Sequence, residues 1–299
     1  MDAALFHEPR RRMIRIADGE VAALDFGDKS RPVDVLFAHA NGMNAMAYRA
    51  LLGPLSLSLR IVAVDLRGHG ASRLPAEPKG RVSWHDFRDD LLELMAAISD
   101  KPMILAGHSM GATSALLAAA KAGDGAKGLV LLDPVILPRW AVMLAKAPWL
   151  VGGYWRRMPL TQGALNRRAV FDSFGAAFNA YRGRGAFRTW PEIMLADYVA
   201  AGFHDRDDGT IELNCSTAWE AANFAAQAND PYAALNETTC PIHILRADQN
   251  SPCHLRAGRL RRLPHVKLET VPGATHFLPM ERPDIVRDAL LDAAELESA

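Results

Sequence analysis

A serine does chemistry only where its surroundings make the hydroxyl reactive. Residues 107–111, Gly107-His108-Ser109-Met110-Gly111, are such a place: they directly follow a short apolar run and directly precede an alanine-rich helical pattern. That is the strand-to-helix context that a G-x-S-x-G nucleophile elbow requires. The bend holds its serine in a strained backbone conformation, and side chains in place of the two glycines would strike neighbouring chain. The bend also lifts the hydroxyl above the sheet's carboxyl edge. There the start of the following helix offers the Met110 N–H to developing negative charge.

Such a hydroxyl needs a base further along the chain. In Pro272-Gly273-Ala274-Thr275-His276-Phe277 an apolar run ends, and a glycine-containing loop presents one histidine before the last helical pattern. A doubly wound sheet would bring that histidine to face the elbow, so His276 is the predicted base, and the order serine then histidine fits. A second N–H for an oxyanion should come from the loop after the third strand. The sequence there is His39-Ala40-Asn41-Gly42, and the N–H of Asn41, or else of Ala40, is expected to act with that of Met110.

The elements that must position these residues can be read from periodicity. Apolar runs at 33–38, 60–64, 102–106, 128–132, 242–245 and 266–271 read as strands, and residues 87–98 and 110–121 carry helical spacing. Pro283 suits the first turn of a closing helix, while 13–16 and 21–26 read as an antiparallel hairpin leading in. Strands alternating with helices argue for βαβ units and a mostly parallel sheet. The alternation breaks after Leu132 and resumes near Cys240. The intervening stretch of about a hundred residues reads as helical rather than stranded. It holds Trp140, Trp149, Trp155, Trp190 and Trp219, five of the six tryptophans, which suit either a core or an apolar pocket lining. His204-Asp205-Arg206-Asp207-Asp208-Gly209 lacks the spacing of a calcium loop and reads as a polar turn. His108, inside the elbow, is expected to pack beside the sheet.

Composition narrows the partners. Lys plus Arg and Asp plus Glu both number 34 in 299 residues, so no global field recruits nucleic acid or an anionic membrane surface. The basic runs at 10–12 and 259–262 read as solvated faces. Cys215, Cys240 and Cys253 are an odd, sparse set, which argues against a disulfide framework or a zinc site and fits a reducing cytoplasm. The first nine residues put an acid second and show no long apolar run, so no signal peptide is expected.

Four separated signatures, His39-Ala40-Asn41-Gly42, residues 65–72 (Asp65-Leu66-Arg67-Gly68-His69-Gly70-Ala71-Ser72), the elbow at 107–111 and Gly273-Ala274-Thr275-His276, together resemble the α/β-hydrolase superfamily over almost the whole chain. The resemblance implies an α/β-hydrolase fold, a mostly parallel eight-stranded sheet with helices on both faces and an inserted helical cap. It divides the chain into core (1–134), cap or lid (135–236) and core again (237–299). It makes residues 65–72 a structural loop, so Arg67, His69 and Ser72 are not catalytic candidates.

The acid that orients the histidine departs from the common pattern. Relatives usually place it a few residues beyond the seventh strand, where this chain has Arg246-Ala247-Asp248-Gln249-Asn250-Ser251, with Asn250 or Ser251 at the expected positions. Some members place it after the sixth strand instead, and Asp133 of Leu131-Leu132-Asp133-Pro134 stands there. Asp133 is the favoured acid and Asp248 the alternative. The expected activity is hydrolysis of an apolar acyl or aryl ester, or a lactone, without metal or organic cofactor. The expected partner is therefore a small molecule, not nucleic acid or membrane. A carbon–carbon bond hydrolase or lyase on the same residues, and a non-catalytic receptor with the same fold, are the alternatives.

Overall fold

The computed structural model describes residues 8–295, without the side chains of 148–152 and 257. The reading of the extreme N-terminus and the side chain of Trp149 fall outside those residues. Strands β1 (Arg10–Ile16) and β2 (Gly19–Phe26) form the predicted antiparallel hairpin. Then come β3 (Val35–Ala38), β4 (Ile61–Val64), β5 (Met103–His108) and β6 (Ala126–Leu132). In the insertion lie β7 (Val170–Phe171), β8 (Phe203–Asp205) and β9 (Ile211–Leu213), and after it β10 (Ile242–Ala247) and β11 (Val266–Val271).

Among the described residues eight strands make one sheet in the order β1-β2-β4-β3-β5-β6-β10-β11. β2 meets β4 antiparallel, and from β4 to β11 every pairing is parallel. A parallel sheet is covered on both faces, which is why its strands are uninterrupted apolar runs rather than alternating ones. Successive residues still point to opposite faces. Leu36, Val62, Leu105 and Leu131 join one buried cluster with Phe87 and Leu91 of the helix His85–Ile98 and Leu116 of the helix Met110–Ala122. Phe37, Ala63, Ile104 and Val130 join the other with Leu51, Leu52 and, from the helix Pro283–Glu295, Val286 and Leu290. Each such Val, Leu, Ile or Phe side chain contributes about 1.5–3 kcal/mol by leaving water, so both clusters fix the sheet on which the site is built.

Among the described residues the insertion has no core of its own. Its Trp190, Leu195, Tyr198 and Phe203 extend the second cluster, and its Val142, Trp219 and Ala226 extend the first. It is mainly helical, with one correction to the sequence reading. β7, β9 and β8 form a three-stranded antiparallel sheet. Strands of two and three residues carry too little periodicity to be read in advance. The polar stretch 204–209 spans the end of β8 and the β8–β9 turn, closed by Arg206 N–H donating to Thr210 O at 2.9 Å, with Gly209 at φ 82°. Among the described residues no helix is long and apolar enough to cross a membrane.

Candidate active site

The elbow is enforced by steric contact. Ser109 sits at φ 57°, ψ −117°, between the end of β5 and the first turn of the helix Met110–Ala122. Such a backbone costs of order 1–3 kcal/mol and persists only where the surroundings demand it. A Cβ on Gly111 would lie 2.3 Å from Ala38 O and 2.4 Å from His39 O, and one on Gly107 would lie 2.7 Å from Gly111 C. Only glycine lets β3, β5 and the helix approach this closely. Ser109 N–H donates to Leu132 O at 2.9 Å, hanging the bend on the end of β6.

Asp133 follows directly on that carbonyl. Its backbone, at φ 44°, donates N–H to Leu245 O at 2.7 Å, extending the β6–β10 ladder by one rung. The carboxylate is fully buried and used on both oxygens. Oδ1 accepts from Ala247 N–H at 2.9 Å and from Ser251 Oγ–H at 2.5 Å. Oδ2 lies 2.6 Å from His276 Nδ1, and His276 Nε2 lies 2.9 Å from Ser109 Oγ. The structure thus brings Ser109, His276 and Asp133 into one chain of hydrogen bonds. Ser109 is 8% exposed and the His276 side chain 28%, so the reactive end is reachable while the acid end is sealed.

Asp248 is not part of this chain. It is exposed, and its Oδ2 accepts from Gly273 N–H at 3.2 Å. With Gln249 N–H donating to Ala274 O at 3.0 Å, it ties the turn after β10 to the loop that carries His276. Asn250 is exposed too, at φ 53°. Ser251 proves to be a donor to Asp133. Its position was visible in the sequence, but its role depends on how the β6 and β10 ends meet.

His108 is buried, and it does more than pack. Its Nε2 lies 2.7 Å from His276 O and its Nδ1 2.7 Å from Tyr48 Oη, while Ala40 N–H donates to Tyr48 Oη at 3.2 Å. The consistent protonation has Nε2–H donating to the carbonyl and Tyr48 donating to Nδ1. Burial first, then the nearby His276, holds the His108 imidazole well below the usual histidine range. A neutral ring thereby links the backbone of His276 to the loop after β3. Tyr48 has no local motif around it, and no sequence signal pointed to it.

The loop itself is clamped from both sides. On the core side, Gly42 N–H donates to His69 Nε2 at 3.1 Å and Leu66 N–H to His39 Nε2 at 2.9 Å. Burial pushes His69 down to about 4 and His39 well below its usual value, so both rings are neutral acceptors. On the insertion side, Asn41 Nδ2 donates to Glu220 O at 2.9 Å, Asn223 Nδ2 donates to Asn41 Oδ1 at 3.0 Å, and Tyr198 Oη donates to Gly42 O at 3.2 Å. Because Ala40 N–H is taken by Tyr48, Asn41 is the better backbone donor of the two considered from sequence. Met110 N–H stands at the first helical position, where no intrahelical carbonyl is available to it.

Around residues 65–72, Arg67 pairs with Asp90 at 2.6 Å and with Asp18 at 2.7 Å, and Ser72 Oγ–H donates to Asp65 O at 2.5 Å. These are bonds that hold a loop. Of the tryptophans, Trp219 donates Nε1–H to Arg67 O at 2.9 Å within the core. Trp190 packs edge-on to Phe277 beside His276, with ring centroids 5.8 Å apart, and Trp140 faces outward.

The comparisons agree with this architecture. The family model described as "Alpha/beta hydrolase family" matches residues 35–289, and the chain belongs to that family. It is 25% identical over 260 residues to 2-(acetamidomethylene)succinate hydrolase of Mesorhizobium japonicum, covering 86% of each chain. It is also 25% identical over 289 residues to the magnesium-chelatase 30 kDa subunit of Rhodobacter capsulatus, covering 91% of this chain and 90% of that one. Among solved structures, E-2-(acetamidomethylene)succinate hydrolase superposes with a TM-score of 0.76 at 24% identity, covering 96% of this chain and 99% of that one. The thioesterase domain from the curacin biosynthetic pathway superposes at 0.73 with 18% identity, covering 95% and 100%. At these identities the superpositions speak to the fold.

Proposed function

We propose that this protein is a serine hydrolase that cleaves a carboxylic ester, or a lactone, of a small apolar substrate through an acyl-enzyme. The observation that carries the reading is His276 bridging Ser109 Oγ and Asp133 Oδ2 at 2.9 and 2.6 Å. His276 Nε2 takes the Ser109 proton as Oγ attacks the carbonyl carbon, and Asp133 stabilises the imidazolium through Nδ1–H. The N–H groups of Met110 and Asn41 receive the oxyanion. Collapse of the tetrahedral intermediate breaks the bond to the leaving alkoxide, which takes the proton from His276. Water, deprotonated by the same nitrogen, then releases the acid and restores Ser109. Nothing in this sequence of steps calls on a metal or an organic cofactor.

In this reading residues 135–236 serve as a lid above the two core segments, 1–134 and 237–299. Cys215, Cys240 and Cys253 are unpaired, in keeping with a cytoplasmic location. A serine rather than a carboxylate at the elbow disfavours the aspartyl-ester route. Kinship does not choose the leaving group, because the relatives include a haloalkane dehalogenase of Sphingobium indicum at 24% identity.

The test is a fluorophosphonate probe together with short p-nitrophenyl esters. Wild type should be labelled and turn over ester, and Ser109→Ala should abolish both. Labelling without ester turnover would favour a carbon–carbon bond hydrolase or lyase on the same residues. Absence of labelling in a folded protein would favour a ligand receptor.

A further inference from the structure

Overall neutrality conceals a local imbalance. Residues 134–171 carry Arg139, Lys146, Arg156, Arg157, Arg167 and Arg168 and no acidic residue. The same stretch exposes Trp140, Met143, Leu144, Tyr154, Leu160 and Leu165, six of the eleven exposed large apolar side chains among the described residues. Trp140 is 66% and Met143 70% exposed, far beyond the scattered single apolar residues that any surface shows.

The pattern is regular. In the helix Arg139–Ala145, the small or short residues Ala141, Val142 and Ala145 are buried, while Arg139, Trp140, Met143 and Leu144 are exposed on one stripe. In the helix Pro159–Leu165, Thr161 and Ala164 turn inward and Leu160 and Leu165 outward. The helix Pro148–Arg157 between them exposes Tyr154, Arg156 and Arg157. The helices Arg139–Ala145 and Pro159–Leu165 anchor themselves through small or short residues and present their large apolar ones to solvent, the reverse of a helix whose apolar face is used by its own core.

The charges fall into two groups. Arg167 is occupied by Glu220 at 3.0 Å, Lys146 reaches Asp230 at 2.5 Å, and Arg168 lies 3.9 Å from Asp172. Arg139, Arg156 and Arg157 have no carboxylate within ion-pair distance among the described residues, and all three are exposed beside the apolar side chains. A second copy of the chain would bring like charges face to face in a twofold contact, which is unfavourable. Nucleic acid would use the arginines but leave Met143 and Leu160 without a role. Aromatic and aliphatic side chains interleaved with unpaired cations fit the headgroup region of an anionic bilayer, where the rings lie at the interface and the cations meet lipid phosphates.

We propose that the outer face of residues 139–165 docks on an anionic lipid bilayer, with Trp140, Met143 and Tyr154 entering the interface and Arg139, Arg156 and Arg157 contacting the headgroups. The inference is independent of the catalytic reading. It describes attachment from one side, without a spanning segment.

Co-sedimentation of the whole protein with phosphatidylcholine vesicles, with and without phosphatidylglycerol, tests it. The protein should pellet with the anionic vesicles, stay largely in solution with the neutral ones, and be released by added salt. Arg156→Gln with Arg157→Gln should weaken partitioning roughly tenfold or more. Trp140→Ser with Met143→Ser should weaken it as well, whereas Leu57→Ser, at a 64% exposed leucine outside the segment, should leave it unchanged. Failure to bind anionic vesicles, indifference to lipid charge, or wild-type binding by both double variants would overturn the proposal. So would a concentration-dependent dimer that Trp140→Ser with Met143→Ser dissolves, which would assign the face to a second copy.

Discussion

The carboxyl ends of β6 and β10 lie side by side, and each carries an aspartate just past its last residues, yet the two have opposite fates. Leu132 pairs with Leu245, so Asp133 leaves β6 while β10 still runs beside it, and it is roofed by Ala247 and Ser251. Asp248 leaves only after Ala247 has paired with Val271 of β11, and it turns to Gly273 in open solvent. What separates them is where each strand stops relative to its neighbours. An acid that must orient a histidine has to be dry, accept bonds that hold it still, and keep one oxygen for the ring. Asp133 meets all three conditions, whereas Asp248 is exposed, accepts a single bond, from Gly273 N–H, and stands apart from the ring.

That contrast can be broken or sharpened by substitution. Asp133→Asn should cost the most, roughly 10⁴-fold in kcat, because an amide N–H facing Nδ1 holds the imidazole in the wrong tautomer. A loss smaller than about a hundredfold in ester turnover would mean that another acid serves. Ser251→Ala should cost roughly tenfold in kcat/KM, the effect expected for removing one hydrogen bond to a buried carboxylate. Steady-state kinetics with correct folding checked by circular dichroism would read it. Asp248→Asn should leave kcat within about twofold, since its bond is exposed and the amide oxygen can still accept from Gly273. A large drop there would exchange the assigned roles.

The smallest effect concerns Cys253, whose N–H donates to Ser251 Oγ at 3.0 Å. Burial pushes its thiol up to about 11, so at pH 8 the native protein should present no thiolate at this position to iodoacetamide. The sign follows from the folded state favouring the thiol. Stability from this group is intact below about pH 9, the ordinary value, and is lost as pH rises through about 11. Mass-spectrometric mapping of alkylation at pH 8 would check it, and rapid labelling of Cys253 would show that the turn after β10 opens.

Much of the site was legible because its constraints are short-ranged. Gly107 and Gly111 flank the serine in a five-residue motif that can be read locally, although the backbone that forbids a side chain there includes Ala38 and His39 at the end of β3. His276 was marked by its loop and its place in the chain order. The acid was ambiguous because two aspartates of the same type both follow strand ends. Their difference lies in a hydrogen bond across 143 positions. Tyr48 and the bridging role of His108 were invisible for the same reason: the bond joining them spans 60 positions, and nothing local announces it. The three-stranded sheet of the insertion escaped because its strands are too short for a period to show.

The amino-acid sequence alone determined the sheet, through apolar runs that only two-sided cover can bury, and the bend at Ser109, through small residues that backbone sterics require. The tertiary structure decided which aspartate bonds the histidine, which N–H of the loop after β3 is left free, and which apolar side chains of the insertion face water. The first group is announced by short local patterns of residue type. The second depends on ladder offset and burial, which exist only once distant segments have packed together.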